Sequence, residues 1–246
     1  MKKALAPVYF LYKLWIGAMF WLSLILLFPV FYILLSSPST LRMALGLKRF
    51  WSWWLRVVLL CPVVSKGKSN FPKAPYIAVS NHMSYLDTVF MYAVVPDYFL
   101  FIGKAELLKW PFFSLFFKKQ DIPVHRGNPR EAHQSLQAAS QALKRGECIA
   151  LYPEGTIPGD APKMKHFKNG AFKLAIDNQV PIVPITWHTN YKVMLDPSKF
   201  WEFSLPQIVR VTVHPPIFTS GMGDQDVVDL REQVWKTIHQ AIENEN

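Results

Sequence analysis

Residues 14–41 carry no charged side chain, and the stretch from Leu14 to Leu35 is almost wholly apolar. As a helix that stretch would be about 33 Å long, close to the hydrocarbon thickness of a bilayer. It is too long for the apolar core of a secretory signal, and no clear small-residue cleavage site follows it. A simple single span has basic residues on both flanks, with Lys2, Lys3 and Lys13 before it and Arg42, Lys48, Arg49 and Arg56 after it. That symmetry gives no orientation, and Pro29 interrupts the run. The expected arrangement is a helix that dips into the membrane, a turn near Ser36–Thr40, and a second helix over roughly residues 41–60 that returns along the interface. Trp51, Trp53 and Trp54 would then sit at headgroup depth. Both basic flanks stay on one side, which puts the rest of the chain at the cytoplasmic face of the cell membrane.

The charge distribution points the same way. Ten Lys and Arg precede the first acidic residue, Asp87, and the remainder carries 17 of each sign. The whole net charge of +10 therefore belongs to the apolar, Trp-rich N-terminal third. Such a segment suits an anionic lipid surface. A nucleic-acid partner is excluded, because a domain of that kind carries its basic excess on the folded body. The two cysteines, Cys61 and Cys148, have neither metal-type spacing nor the look of a disulfide framework.

From residue 75 onward, short β-rich runs alternate with helical stretches. Strands are expected at residues 75–80, 98–102, 121–124, 147–152, 180–186 and 208–213. Helices are expected over about 87–95, 105–119, 129–145 and 167–178, with an amphipathic one from Asp226. Residues 65–73 read as a basic connector. The alternation predicts an α/β fold with a mostly parallel sheet and flanking helices, preceded by the two-helix membrane anchor. The expected division is an anchor over 1–64 and an α/β domain over 65–246. Parallel sheets bind ligands at the carboxyl ends of their strands. Four polar residues fall there: His82, Lys104, Arg126 and Glu154.

His82 and Asp87 offer a general base and its orienter. Imidazole titrates near neutrality and can take a proton from a hydroxyl, and a carboxylate on the other ring nitrogen fixes the tautomer. Five positions on a continuous helix separate two side chains by about 140°. The pair can meet only if His82 lies in a turn ahead of the helix and Asp87 in its first turn. Ser84-x-x-Asp87 also has capping-box spacing, and the two roles can coexist. G-x-S-x-G and H-E-x-x-H are both absent, which disfavours an acyl-serine hydrolase and catalytic zinc.

With these residues in place the chain resembles the 1-acylglycerol-3-phosphate acyltransferase family over about residues 75–185. The anchor resembles the two-helix element of bacterial members. The N-H-x4-D motif is complete at Asn81, His82 and Asp87. The lysine-bearing segment is similar at 101–107, the second motif's arginine at Arg126, and the third motif's core at Glu154, Gly155 and Thr156. The segment after it is similar at 167–172, and a fourth motif at 180–185. The resemblance implies transfer of a fatty acyl group from acyl-CoA or acyl carrier protein to a lysolipid hydroxyl, with no metal or resident cofactor. His82 and Asp87 would be catalytic. Asn81, Lys104, Arg126, Glu154, Gly155, Thr156 and Lys168 would bind substrate. Two positions depart from the pattern: Pro123 stands where an aromatic is usual, and Ile157 where the third motif continues with an arginine for the acceptor phosphate. Either Lys163, Lys165 or Lys168 substitutes, or the acceptor is a lyso-aminolipid. A lipid-binding module that has lost catalysis is the remaining alternative.

Overall fold

The structure is a computed structural model and describes residues 5–125, 127 and 129–245. Arg126, Lys2 and Lys3 lie outside the described residues.

Two antiparallel helices open the chain, α1 (Ala6–Leu34) and α2 (Leu41–Val58). Ser36 to Thr40 makes the reversal, as expected. Pro38 cannot continue α1, and Thr40 Oγ1 donates to the carbonyl of Leu34 at 2.7 Å, satisfying one of the helix-end acceptors. Pro29 is accommodated within α1. This helix is long and apolar enough to cross a membrane, and Leu11, Leu22, Leu26 and Ile33 stand exposed along it.

The body is a seven-stranded sheet in the order β1-β7-β6-β2-β5-β3-β4. Its strands are β1 (Val63–Lys66), β2 (Ile77–Ser80), β3 (Phe99–Lys104), β4 (Ile122–Val124), β5 (Cys148–Leu151), β6 (Ile182–Trp187) and β7 (Val209–Val213). Strands β2 to β6 run parallel, while β7 pairs antiparallel with β6 and parallel with β1. The helices are α3 (Asp87–Met91), α4 (Pro111–Lys119), α5 (Pro129–Lys144), α6 (Gly170–Asn178) and α7 (Val227–Glu243). Strand alternation sorts the core into two layers. Ala78, Cys148 and Ala150 face α1, α2 and α3, whereas Ile77, Val79, Ile149 and Leu151 face α5, α6 and α7.

Three expectations change. The basic connector contains β1, so the 64/65 division falls inside a strand. Only four residues long and alternating half-buried with exposed, β1 has no apolar run by which to be recognised. The stretch 105–119 is two elements, a 3₁₀ turn over Ala105–Lys109 and then α4, because Pro111 restarts the helix. Finally, α2 is packed between α1 and the sheet, with its polar side turned to the body. Trp51 is buried and donates its indole N–H to Ser23 Oγ at 2.8 Å; only Trp53 stands well exposed. Arg49 donates to the carbonyls of Val95 and Asp97 at 3.1 and 3.0 Å, and Lys48 pairs with Asp121 at 3.3 Å. Ile16, Leu24 and Phe31 of α1 and Leu45 and Leu55 of α2 share one core with Phe90, Phe99 and Trp187 of the body.

Candidate active site

Strand β2 stops at Ser80, and the loop 81–86 turns before α3 begins at Asp87. The turn solves the spacing problem: His82 Nδ1 lies 2.8 Å from Asp87 Oδ2. The same oxygen accepts the backbone N–H of Met83 (2.8 Å) and of Ser84 (3.0 Å), and Asn190 Nδ2 donates to Oδ1. Asp87 is fully buried and its acceptor sites are filled. It therefore orients rather than reacts. With Asp87 accepting, the proton sits on Nδ1, and Nε2 presents its lone pair to a ligand. The capping role coexists with this one, because Ser84 N–H to Asp87 is half of a capping box. Ser84 Oγ is used elsewhere, donating to Met194 O at 2.6 Å and accepting Leu86 N–H at 3.1 Å. The imidazole stacks on Tyr152, with ring centroids 4.1 Å apart and planes 13° apart, which fixes its remaining freedom.

Two residues expected to touch substrate hold the loops instead. Asn81 is buried, and its side-chain amide acts as a strand partner. It donates to Trp187 O at 3.0 Å and accepts Trp187 N–H at 2.8 Å, locking the end of β2 to the end of β6. Glu154 accepts His82 N–H and Lys165 N–H, each at 2.9 Å, so neither carboxylate oxygen is free for an acceptor hydroxyl. Burial pushes the Glu154 carboxyl up to about 7, against the two N–H donors, which favour the ionised form. A raised carboxyl favours the protonated folded form, so its contribution to stability is present below pH 4.5 and is lost as pH rises from about 4.5 to about 7. Glu154→Gln should flatten that part of the stability–pH curve. It should also cost about 1–3 kcal/mol by orphaning one buried N–H. Thermal unfolding across this pH range reads both effects.

Gly155 has φ +75°, a conformation that favours glycine, and the Lys168 side chain lies over it: a Cβ at 155 would be 3.2 Å from Lys168 Nζ. Thr156 and Ile157 follow on the cavity wall. Lys168 is thus the lysine set beside the third motif. Lys165 contributes its backbone N–H to Glu154, and Lys163 pairs with Asp160 at 3.8 Å. Lys104 is half-exposed at the end of β3, on the cavity wall and 3.4 Å from Glu106.

His82 opens on a cavity of about 470 Å³. It runs beneath the N-terminal helices, between Phe20 and Trp51 on one side and Phe101, Phe113, Phe116 and Phe117 on the other. Leu195, Asp196 and Lys199 also line it, on a loop tied to α1 by the buried Lys13 ammonium, which donates to the carbonyls of Asp196 and Lys199. An apolar cavity with a positioned imidazole at one end and several lysines nearby can accept an acyl chain, bring a hydroxyl to the imidazole and attract an anion. Among the described residues, no three of His, Cys, Asp and Glu come together as metal ligands.

Sequence reasoning missed Asn190, Tyr152, Lys199 and the Lys48–Asp121 pair. Each reaches the site from an element distant in sequence, and none carries a local pattern that announces it.

Residues 62–188 match the family described as Acyltransferase. The 1-acyl-sn-glycerol-3-phosphate acyltransferase alpha of Mus musculus is 34% identical over 172 residues, 69% of this chain and 59% of that protein. The chloroplastic 1-acyl-sn-glycerol-3-phosphate acyltransferase BAT2 of Brassica napus is 32% identical over 158 residues, 63% of this chain and 45% of that protein. The 1-acyl-sn-glycerol-3-phosphate acyltransferase of Pseudomonas aeruginosa is 28% identical over 192 residues, 76% of this chain and 72% of that protein. The chain thus spans about half the length of the first two. The crystal structure of the 1-acyl-sn-glycerophosphate (LPA) acyltransferase PlsC from Thermotoga maritima superposes with a TM-score of 0.75, covering 99% of this chain and 97% of that one at 24% identity, which supports the fold. The family match runs across more than half of the sequence, and the chain belongs to the acyltransferase family.

Proposed function

We propose that this protein transfers a fatty acyl group from an acyl thioester to the free hydroxyl of a lysolipid, with 1-acyl-sn-glycerol-3-phosphate as acceptor and phosphatidic acid as product. The observation that carries this reading is the His82–Asp87 pair: a 2.8 Å contact made through Nδ1 at the mouth of an apolar cavity. His82 Nε2 takes the proton of the acceptor hydroxyl. The oxygen attacks the thioester carbonyl, a C–O bond forms, the C–S bond breaks, and the thiolate leaves and recovers the proton from the imidazolium. Thiolate is a good leaving group, so direct transfer needs no covalent acyl-enzyme. Asp87 holds the tautomer and steadies the imidazolium. The donor thioester is carried by coenzyme A or by acyl carrier protein.

Membrane association follows from the exposed apolar face of α1, which would put the cavity at the leaflet that contains the lysolipid. The catalytic body would lie on the cytoplasmic face.

Ile157, set in the cavity wall where the family pattern has an arginine, favours a second reading in which the acceptor is a lyso-aminolipid. Purified protein supplied with labelled acyl-CoA or acyl carrier protein and either lysophosphatidate or a lyso-aminolipid separates the two. Labelled phosphatidic acid is the expected product, and label in the aminolipid alone would reverse the assignment. If Lys168 supplies the missing cation, Lys168→Ala raises KM for lysophosphatidate about ten- to a hundredfold, the equivalent of one lost charged hydrogen bond, and leaves KM for the donor in place.

A further inference from the structure

The cavity wall is apolar except for one polar band. Lys48 and Asp121 are both buried in it, 3.3 Å apart. Asp121 Oδ1 accepts Phe101 N–H at 2.9 Å. The Lys48 ammonium has three donors, one carboxylate partner, and the ring faces of Phe116 and Tyr92 at 4.8 and 5.7 Å. Tyr152 also lines the cavity, and its hydroxyl is buried with no hydrogen-bond partner. Ring contacts join these groups into one band: Tyr152 to Phe101 at 6.2 Å, and Phe101 to Tyr92 at 5.7 Å. A buried phenol left unpaired, and an ammonium with donors to spare, are both costly arrangements. A plain hydrocarbon chain filling the cavity would exclude water from both and return no hydrogen bond.

The band lies well inside the cavity. Strand register aligns Phe101 with Ala150 and Ala150 with Ala78, and His82 stands four residues beyond Ala78. At strand rise this sets the level of the Lys48–Asp121 pair about 13 Å below the imidazole, beside the middle of a long acyl chain rather than its thioester end.

We propose that Tyr152 Oη and Lys48 Nζ form a subsite that recognises an oxygen substituent, a hydroxyl or a keto group, on the acyl chain held in this cavity. The inference rests on the acyl-transfer reading above. Tyr152 would donate its unused O–H to the substituent oxygen, and Lys48 would offer a second donor from the opposite wall.

Paired donors test it: stearoyl and 12-hydroxystearoyl thioesters with plain lysophosphatidate, and plain stearoyl thioester with lysophosphatidate whose own chain is plain or hydroxylated. The wild-type chain should favour the hydroxylated partner in one of these arms by about tenfold in kcat/KM, and the arm that responds identifies whose chain occupies the cavity. Tyr152→Phe, which keeps the stack on His82, should remove most of that ratio. Lys48→Met combined with Asp121→Asn, which leaves no unpaired charge, should lower it as well. Equal turnover of plain and hydroxylated partners in both arms, or a preference that survives both variants, overturns the subsite while leaving acyl transfer intact. Absence of diacyl product with every donor overturns the acyl-transfer reading and the subsite with it.

Discussion

His82→Ala should lower kcat/KM for acyl transfer by roughly a hundred- to ten-thousandfold, the usual contribution of a positioned general base. The loss should fall on kcat, because the imidazole works on a proton in transit and not on either substrate's anchoring. Folding should survive, since the His82 side chain is partly exposed and its backbone N–H still reaches Glu154. Asp87→Asn is a poorer probe. Asp87 Oδ2 accepts two backbone N–H groups in addition to the imidazole, so an amide there would set donors against donors and unsettle the loop as well as the chemistry.

The second large effect is on stability. Lys48→Met alone leaves the buried Asp121 carboxylate without its cation and should destabilise the chain by about 3–5 kcal/mol. Adding Asp121→Asn should recover most of that loss. Asn still accepts Phe101 N–H, and methionine fills the volume beside Phe116. Thermal unfolding of the two variants in the same detergent measures the difference. Equal stability of the single and double variants would mean that Asp121 is solvated in the folded chain. The result also bears on the anchor, because this pair ties α2 to the sheet. If the N-terminal helices were merely tethered, breaking it would cost little.

How far the sequence reveals this molecule depends on how local each cause is. Strands β2, β5 and β6 carry continuous apolar runs bounded by Gly, Pro or polar residues, and the sequence marks them within a residue or two. Strand β1 has no such run and exists because β7 pairs with it, which cannot be seen from residues 63–66 alone. Lys104 and Glu154 follow strands that lie side by side, so the carboxyl-end rule gathers them beside His82. Their roles are less legible. Asn81 and Glu154 sit within the motifs, yet both serve to hold loops, because the donors that claim them come from residues 187 and 165. The reverse is true of Tyr152 and Asn190, which touch the dyad directly. The reach of α2 into the body was hidden by its composition: Lys48 and Arg49 read as headgroup-facing cations, whereas a carboxylate and three backbone carbonyls of the body accept from them.

The central claim is that His82 removes a proton from an acceptor hydroxyl and that the acyl group passes directly to that oxygen. Purified wild-type and His82→Ala protein, given labelled acyl thioester with and without lysophosphatidate, tests it most directly by product analysis. The account predicts labelled diacyl product only when the acceptor is present, lost by two to four orders of magnitude in His82→Ala, with no label retained on the protein. Free fatty acid as the sole product, or diacyl product formed at the wild-type rate without the imidazole, would contradict it.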